Sequence, residues 1–366
     1  MGSIWGNQLK LSIFGESHGK GIGAVIDGFP AGFAFDQEFI ANEMARRAPG
    51  NNPLATSRRE EDRAMILSGV LEGTTTGAPL CIMIPNTDTH SKDYENLRSV
   101  PRPGHSDYTG KLRYRGHNDL RGGGHFSGRL TAPLVFAGAL CKDFLRKKHQ
   151  VEIGSHLYKV GAVEDRPFDP VRVDRDLLIR LRGETLPLID HSVEDQIAGL
   201  VDKVRRELDS IGGVIECAVV GASAGIGSPI FQNVESRIAS VLYSVPAVKG
   251  VEFGSGFALA SMRGSEANDV YLRENGAVRT STNHNGGITG GITTGMPIIV
   301  RAAIKPTPSI AREQTTLNFE TGAQEELVIH GRHDPCIALR APAVVEAGVA
   351  IALMDLYLEA YGYDAE

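Results

Sequence analysis

The sequence has few cysteines and few aromatic residues: its 366 residues include four cysteines, one tryptophan, and 6% Phe, Trp and Tyr together. The cysteines are widely spaced, at 81, 141, 217 and 336, and form no C-x-x-C pair. This spacing argues against a disulfide framework and fits unpaired thiols in a reducing compartment. We therefore expect a cytoplasmic protein.

Long apolar runs are also missing. The N-terminus, MGSIWGNQLKLSIFGESHG, lacks the basic and apolar regions of a signal peptide. The longest apolar stretches lie near residues 132–141 and 343–354, and Glu346 interrupts the second. Because a bilayer span takes about 20 apolar residues, we expect no membrane segment.

Motifs of several enzyme classes are absent. We find no H-E-x-x-H, no Cys/His metal spacing and no G-x-S-x-G, so neither a structural metal nor the usual esterase elbow is expected. GESHGKG at 15–21 is one residue short of a phosphate loop, and GASAGIGSP at 221–229 has Pro229 where a dinucleotide-binding loop has its third glycine. A net charge of −6 argues against a general nucleic-acid binder.

Glycine and arginine are the residues in excess. The 43 glycines cluster in short loops without a Gly-X-Y period, where the backbone must turn sharply or approach a ligand closely. Eleven of the 15 Lys and Arg residues in positions 1–130 are arginine, which is suited to two-pronged capture of carboxylate and phosphate. This bias alone leaves both an anion site and an ordinary solvated surface open.

Apolar periodicity predicts an irregular mixture of helices and strands. Helices are predicted over 36–47 with Asp36 as cap, over 127–147, after a Ser192–Asp195 capping box, over 233–242, and over 342–361. Strands are predicted over 22–26, 81–84, 214–220, 257–263 and 298–304, and long polar loops over 48–63 and 86–124. Clean βαβ units are absent, so we expect an α+β fold in a single domain over 1–366.

Three loop segments are dense in titratable groups: 15–19 around His18, 102–107 continuing to 121–125, and 331–336. A loop histidine is more often simply solvated. Three such segments together nevertheless predict an anionic-ligand site with proton-transfer groups, because histidine titrates near neutral pH. KPTPS at 305–309 adds a cation and two hydroxyls suited to a phosphate end-group, although a plain proline-rich turn would look the same.

Eight segments occur in an order that is specific to one family: FGESHG (14–19), RRAPG (46–50), LSGVLEGTTTGAP (67–79), RPGHSDYT (102–109), RGGGHFSGR (121–129), NHNGGITGGI (283–292), KPTPS (305–309) and GRHDPC (331–336). Together they resemble chorismate synthase, from about residue 6 to residue 356. The resemblance implies a β-α-β sandwich of antiparallel sheets around helices, assembled as a homotetramer.

The resemblance also implies a reaction. This is the conversion of 5-enolpyruvylshikimate 3-phosphate to chorismate and phosphate by anti-1,4-elimination, the last common step of the shikimate pathway to aromatic amino acids. It requires reduced FMN without net redox, because the C6 hydrogen is weakly acidic and an electron-rich flavin can give charge to the substrate as phosphate leaves. No added domain is evident, so we expect an external flavin reductant.

Site residues follow from the same resemblance. His18 matches the general acid near the departing phosphate, His105 the histidine that protonates reduced flavin, and Asp334 the aspartate that handles a flavin proton at N5. The positions that match substrate-binding residues are Ser17, Arg47, Arg102, Ser127, Arg129 and Arg332. The positions that match FMN-binding residues are Ser127, Ala267, Gly290, Lys305, Thr307, Ser309 and Arg332.

Blander interpretations stay open for several of these residues. Arg332 and Asp334 would also fit a structural ion pair, and Ser17 would fit a role in shaping its loop. Three further histidines are expected to be structural or solvated rather than catalytic: His117, His125 and His333. Cys336 is expected to be packed.

The sequence departs from the family in two segments. Many members read R-S-S-A-R-E-T where this chain has HFSGRLT at 125–131, so that His125 replaces an arginine and Leu130 a glutamate. Pro53 replaces an arginine, for which Arg58 or Arg59 would compensate in space. An inactive flavin- or anion-binding homologue and a flavin-dependent oxidoreductase are the alternatives. The retained His18, His105 and Asp334 favour the lyase.

Overall fold

The structure is a computed structural model that describes residues 2–50, 52, 54–55, 62–87, 97, 99–329 and 334–363. Its framework is a pair of five-stranded antiparallel sheets. The first has, in spatial order, β1 (Ile4–Trp5), β2 (Lys10–Gly15), β3 (Gly21–Asp27), β7 (Leu80–Pro85) and β4 (Met65–Ser68). The second has β11 (Val248–Phe253), β16 (Ile298–Ile304), β10 (Gly213–Val220), β8 (Glu152–Val160) and β9 (Val163–Glu164).

Short hairpins extend from this framework. They are β5 (Val70–Leu71) with β6 (Thr74–Thr75), β12 (Tyr271–Glu274) with β13 (Ala277–Thr280), β14 (Ile288–Thr289) with β15 (Ile292–Thr293), and β17 (Gln314–Leu317) with β18 (Gln324–Leu327).

Helices fill the space between the sheets. The central ones are α1 (Gln37–Arg47), α3 (Thr131–His149), α6 (Val234–Ser244) and α8 (Pro342–Tyr361). Helix α3 contacts β3 and β7 of the first sheet, and α8 contacts β8 and β10 of the second. The remaining helices are α2 (Asp107–Arg113), α4 (Arg175–Arg182), α5 (Glu194–Arg206) and α7 (Gly264–Ala267).

One apolar cluster joins both sheets to these central helices. It includes alternate residues of β3, such as Ile22 and Ile26, together with most of α3 and α8. Gly138 lets α3 and α8 approach closely, because a Cβ there would lie 2.3 Å from the Cα of Ala347. The predicted α+β sandwich of antiparallel sheets around helices is confirmed. A single domain over 1–366 stays a prediction.

The interior also holds a charged cluster. Glu346 of α8 is fully buried and accepts hydrogen bonds from Arg46 of α1 at 2.7 Å, from Ser155 of β8 at 2.7 Å, and from Lys142 of α3. Burial alone would raise the pKa of Glu346, but the charges of Arg46 and Lys142 hold it well below its usual range. Each buried charge therefore has a counter-charge, as the interior requires.

Most predicted elements are confirmed within a few residues. Asp36 caps α1 by accepting the Phe39 N–H at 2.9 Å, and Pro342 begins α8. The helix predicted from 127 begins at 131, since Ser127 caps a 3₁₀ turn over 128–130 first. None of the helices in the described residues has the length and apolar content that a membrane span requires.

Three local predictions are wrong. Residues 256–261 form a 3₁₀ helix instead of a strand over 257–263, and Phe257 is 86% exposed there, so its apolar run does not mark a buried strand. The segment 86–124 contains α2 rather than loop alone. The predicted capping box is absent, because Asp190 caps a short 3₁₀ turn and α5 starts after it without a side-chain cap.

Candidate active site

A glycine-rich loop over 121–126 lies between two histidines. Gly122, Gly123 and Gly124 all have positive φ, of 59°, 92° and 54°, a conformation that side chains with a Cβ rarely adopt. A Cβ at Gly122 would lie 2.0 Å from Cε1 of His18, and one at Gly123 would lie 3.3 Å from Nε2 of His105. Glycine is therefore required for this backbone to pass so close to both rings. We call residues 121–126 the glycine loop.

Ser17 and His18 follow β2 and are held against the glycine loop. The Ser17 N–H donates to the Gly124 carbonyl at 3.1 Å, and its hydroxyl donates to the Arg121 carbonyl at 3.1 Å. The same hydroxyl lies 3.2 Å from Nδ1 of His18, whose ring is 8% exposed. The structure thus gives Ser17 the loop-shaping contacts considered above and keeps it beside His18.

On the other side of the glycine loop, His105 lies in a compact ionic cluster at the start of α2. The buried Asp107 accepts two hydrogen bonds from the Arg102 guanidinium, from Nε at 2.8 Å and from Nη2 at 2.7 Å. Asp107 Oδ1 also lies 2.6 Å from Nδ1 of His105. One carboxylate therefore contacts both a candidate anion-binding group and a candidate proton-transfer group.

Electrostatics in this cluster favour a neutral imidazole. Burial lowers the pKa of His105, and the hydrogen bond with Asp107 opposes that shift only in part, while the charges of Arg102 and Lys305 add to it. Burial alone would raise the pKa of Asp107, but hydrogen bonds from Arg102 and His105 hold it well below its usual range. Asp107 is accordingly ionised and His105 mostly uncharged near neutral pH.

Arg47 and Arg129 meet at Asp62, a residue that the sequence analysis did not single out. Arg47, at the end of α1, donates to Asp62 Oδ2 at 2.6 Å and to the Gly128 carbonyl at 2.9 Å. Arg129 Nη1 donates to Asp62 Oδ1. The three side chains are buried. Asp62 therefore joins the two candidate substrate-binding arginines.

Asn86 connects this arginine pair to the His18 segment. Its side-chain oxygen accepts from Arg129 Nε at 3.2 Å, and its amide nitrogen donates to the Glu16 and Gly19 carbonyls at 2.9 and 3.0 Å. No motif marks Asn86 in the sequence. Asp107 lies inside the RPGHSDYT segment, which was predicted to belong to the site, but no role was predicted for Asp107 itself.

The KPTPS segment follows β16 and contacts the cluster of Arg102, His105 and Asp107. Lys305 Nζ donates to the Gly104 carbonyl at 2.5 Å, and Ser309 Oγ accepts from Arg102 Nη1 at 3.2 Å. Burial, with a smaller contribution from Lys249, lowers the pKa of Lys305. The Thr307 hydroxyl is buried and has no hydrogen-bond partner among the residues that the structure describes.

Asp334 is linked to this segment only indirectly, through residues 210–211. Its carboxylate accepts from Arg340 Nε at 2.9 Å and from the Cys336 N–H at 3.2 Å. The Pro335 carbonyl accepts from Ile211 N, and the neighbouring Ser210 hydroxyl donates to the Thr307 carbonyl. Cys336 is packed as expected, and burial raises its pKa to about 12. Arg332 and His333 lie outside the described residues, so a pairing of Arg332 with Asp334 stays untested.

Ala267 and Gly290 lie in a different part of the chain. Gly290 is at the turn of the β14–β15 hairpin, and Ala267 ends α7. The loops between them are organised by Asp269, which accepts from the Thr282 hydroxyl at 2.8 Å and from two backbone N–H groups. A cavity of about 460 Å³ there is lined by residues between 268 and 294. Within the described residues, no hydrogen bond joins either position to the His18 or His105 cluster.

The structure describes two of the positions at which the sequence departs from the family, Leu130 and His125, and shows the contacts of each. Leu130 is 6% exposed and belongs to the apolar core, and His125 Nδ1 lies 2.8 Å from the Gly15 carbonyl. The expectation that His125 is structural therefore agrees with its contacts. Pro53, Arg58 and Arg59 lie outside the described residues.

The structure thus brings most predicted site residues into one continuous cluster around the glycine loop. They are Ser17, His18, Arg47, Arg102, His105, Ser127, Arg129, Lys305, Thr307 and Ser309. Asp334 is not joined to them directly within the described residues: its carboxylate contacts Arg340 and Cys336, and only the backbone of Pro335 contacts Ile211. Buried guanidinium groups, two histidines and an unpartnered hydroxyl suit a ligand with several negative charges.

Comparisons with known proteins identify the family. The chorismate synthase family profile matches residues 9–358. The chorismate synthase of Korarchaeum cryptofilum is 44% identical over 97% of each chain, and that of Dehalococcoides mccartyi is 41% identical over 98% of each chain. A crystal structure of chorismate synthase is similar with a TM-score of 0.75 at 30% identity, covering 98% of this chain and 94% of the other. The resemblance and the enzyme class predicted from the sequence are confirmed, and the chain belongs to the chorismate synthase family.

Proposed function

We propose that the protein converts 5-enolpyruvylshikimate 3-phosphate to chorismate and phosphate, by anti-1,4-elimination, at the cluster around the glycine loop. The observation that carries this assignment is the loop itself, because its glycines admit His18 on one side and His105 on the other. Buried arginines adjoin both histidines through Asn86 and Asp107. Proton-transfer groups and anion-binding groups therefore surround one space.

The substrate carries two carboxylates and one phosphate, and the proposed binding groups are Ser17, Arg47, Arg102, Ser127, Arg129 and Arg332. In a secluded site a guanidinium stabilises an anion far more than it would in water. Asp62 and Asp107 hold three of these arginines in fixed positions. Binding therefore costs little side-chain ordering, since the guanidinium groups are already oriented.

His18 is the proposed general acid for the departing phosphate. Its ring is nearly buried and contacts the Ser17 hydroxyl through Nδ1. A positioned acid that transfers a proton in the transition state contributes roughly 100- to 10,000-fold to the rate. His105 and Asp334 are the other proposed proton-transfer groups.

We propose reduced FMN as the cofactor. The buried Thr307 hydroxyl, which has no hydrogen-bond partner among the described residues, fits a phosphate end-group together with its neighbours Lys305 and Ser309. Ser127, Ala267, Gly290 and Arg332 complete the proposed cofactor residues. When bound, reduced FMN supplies electron density to the substrate as the phosphate leaves. The protein holds the cofactor and substrate, excludes water and supplies protons.

The same proposal includes a cytoplasmic homotetramer that receives reduced flavin from an external reductant. Oxidised FMN with NADPH and no second enzyme is expected to give no turnover. Turnover under those conditions would contradict the dependence on an external reductant.

The test is anaerobic phosphate release from 5-enolpyruvylshikimate 3-phosphate with photoreduced FMN, with identification of chorismate. The His18→Ala variant is expected to lose about 100-fold or more of kcat, and Asp334→Asn is expected to lose activity as well. His117→Ala is the matched control, because His117 lies on the exposed turn after α2 and is expected to keep full activity.

Three outcomes would reject parts of this assignment. Binding of substrate and flavin without product would support the inactive homologue. Net oxidation of the flavin in step with product would support an oxidoreductase. Folded His18→Ala or Asp334→Asn protein with full turnover would remove those residues from the mechanism.

A further inference from the structure

His105 Nδ1 has two close polar neighbours of opposite charge. Asp107 Oδ1 lies 2.6 Å from it, and Arg102 Nη2 lies 3.0 Å from it. Arg102 Nη2 and Asp107 Oδ1 are themselves 2.7 Å apart. The three atoms form a triangle, and no assignment of protons makes all three contacts donor–acceptor pairs. The favoured assignment is therefore the one that leaves only the longest contact, at 3.0 Å, without such a pair.

That assignment puts a proton on Nδ1. A guanidinium only donates hydrogen bonds, so a contact with Arg102 would require a lone pair on Nδ1. In that case the Nδ1 lone pair would face the ionised oxygen of Asp107 at 2.6 Å, which is strongly repulsive. With the proton on Nδ1, the imidazole donates to Asp107 at 2.6 Å and Arg102 donates to the same carboxylate at 2.7 Å. Only the 3.0 Å contact between Arg102 Nη2 and Nδ1 then lies between two donors, and both of these point at the Asp107 carboxylate.

The opposite ring nitrogen then carries the lone pair of the neutral imidazole. Nε2 is directed at the glycine loop: a Cβ at Gly123 would lie 3.3 Å from it and 3.7 Å from the Cβ of Ser127. Because Gly123 has no side chain, space remains at Nε2 on the side where Ser127 lies.

We propose that Asp107 is a positioning residue that fixes His105 as the Nδ1–H tautomer, so that Nε2 is the atom that exchanges protons in the active site. The proposal deepens, and rests on, the function proposed for His105 above. Asp107 is suited to this role because it is 4% exposed and is itself held by the Arg102 guanidinium and by the Arg102 N–H at 3.0 Å. A carboxylate that orients a histidine in this way selects the tautomer of the ring.

The first experiment measures the tautomer directly. ¹⁵N-histidine-labelled protein is examined by solid-state NMR, with the His105 signals assigned by their loss in His105→Gln. The wild-type spectrum at pH 8 is expected to show Nδ1 protonated and Nε2 unprotonated. In Asp107→Asn the amide oxygen accepts from Arg102 and its NH₂ group donates to Nδ1, so the tautomer is expected to change to Nε2–H.

The second experiment measures the kinetic consequence. Asp107→Asn is expected to lower kcat by at least about tenfold, with a smaller change in KM because the amide oxygen still holds Arg102. In a His105→Gln background the same substitution is expected to cost little further kcat, because residues that act as a unit are not additive. Thr109→Ala is the control on the same helix, since the Thr109 hydroxyl contacts only the Ser106 carbonyl among the described residues and is exposed.

The outcomes separate this proposal from the proposed function. A wild-type spectrum with Nε2 protonated overturns the proposal, and that measurement does not depend on the folding of any variant. If the double variant loses kcat by the product of the two single losses, Asp107 acts independently of His105 and its role is structural. Wild-type protein that shows the Nδ1–H tautomer but releases no phosphate with reduced FMN would instead contradict the proposed function.

Discussion

Gly122 is a residue at which the active site leaves no room for a side chain. Its φ is +59°, and an added Cβ would lie 2.0 and 2.1 Å from Cε1 and Nδ1 of His18 and 2.8 Å from the Ser17 hydroxyl oxygen. A methyl group here must move the proposed general acid or the loop that carries it. The position therefore connects a backbone conformation directly to the placement of a proposed catalytic side chain.

Gly122→Ala is expected to fold and to lose activity. The positive φ alone costs an alanine roughly 1–2 kcal/mol, whereas displacement of a catalytic group by about 1 Å can cost about 100-fold in rate. Gly116→Ala is the matched control, because Gly116 has a φ of +78° with nothing within 4 Å of its Cβ position. Both variants should lose stability in thermal unfolding, Gly122→Ala by more because of its close contacts with His18, and only Gly122→Ala should lose kcat. Equal kcat in the two variants would show that His18 does not need this glycine.

At the scale of elements, a buried histidine links β8 and β10. Both ring nitrogens of His156 face carboxylates, Nδ1 at 2.8 Å from Asp165 and Nε2 at 2.9 Å from Glu216. Arg301 of β16 pairs with Glu216 at 2.7 Å, and the rings of Phe168 and Tyr158 pack against the imidazole. Burial alone would lower the pKa of His156, but the hydrogen bonds to both carboxylates raise it above its ordinary value.

This arrangement predicts a pH-dependent contribution to stability. Because the folded pKa of His156 is raised, its contribution is fully present below the unfolded pKa of about 6.5 and is lost as pH rises through the folded value. The pKa values of Asp165 and Glu216 are lowered against the opposing effect of burial, so their contribution is lost as pH falls through those folded values. The cluster therefore stabilises the fold most between about pH 5 and 6.5.

His156→Gln is expected to destabilise the protein by about 3–5 kcal/mol near pH 6, since it leaves the buried carboxylate of Asp165 without its counter-charge and leaves Glu216 with Arg301 alone. The difference from wild type, measured by urea unfolding from pH 5.5 to 9, should shrink as pH rises. His191→Gln is the surface control, because His191 is exposed beside Glu194 and Glu184 and should change stability little. A difference that does not vary with pH would show that His156 is neutral in the folded protein.

At the scale of the whole molecule, the sequence predicted which segments form the candidate site, but not the contacts that join those segments. The segments around His18 and His105 were found because glycine, histidine and arginine cluster there, and the Lys305 segment because it combines a cation with two hydroxyls. The order of all three segments matches one family. Asp62 and Asn86 were missed because their importance comes from tertiary contacts with Arg47 and Arg129, which no local spacing reveals.

The fold could be predicted to a similar extent. Long helices such as α3 and α8 were predicted from their long, nearly continuous apolar sequences. The structure agrees, because most residues of each helix are buried. The strand predicted over 257–263 failed because apolar residues such as Phe257 are exposed in this chain. A local pattern cannot distinguish an apolar segment that enters the core from one that remains on the surface.

Exposed apolar residues occur in segments that adjoin Ala267 along the chain or contact the Gly290 hairpin by a hydrogen bond. Phe231 and Phe257 are each 86% exposed, and Ile230 is 71% exposed. The Gly291 carbonyl accepts from Val234 N, next to the 3₁₀ turn of Ile230–Gln232. Exposed apolar side chains grouped in this way are typical of an interface. They support the proposed homotetramer and suggest that this region meets another subunit.

If Ala267 and Gly290 help to hold the cofactor, we expect them to do so at the glycine loop of a different subunit, because within the described residues no hydrogen bond joins them to the loop of their own chain. This predicts complementation between two defective variants, His105→Gln and Ala267→Trp, co-expressed with different tags and purified by both. Random assembly would leave about a quarter of the sites with neither substitution, so the mixed tetramer should recover up to about that share of wild-type kcat.

Co-expression of His105→Gln with His18→Ala is the control. Both residues contact the same glycine loop, so substitutions carried by separate chains leave every site defective. Equal recovery in the two pairs, or none in the first, would place Ala267 outside a shared site.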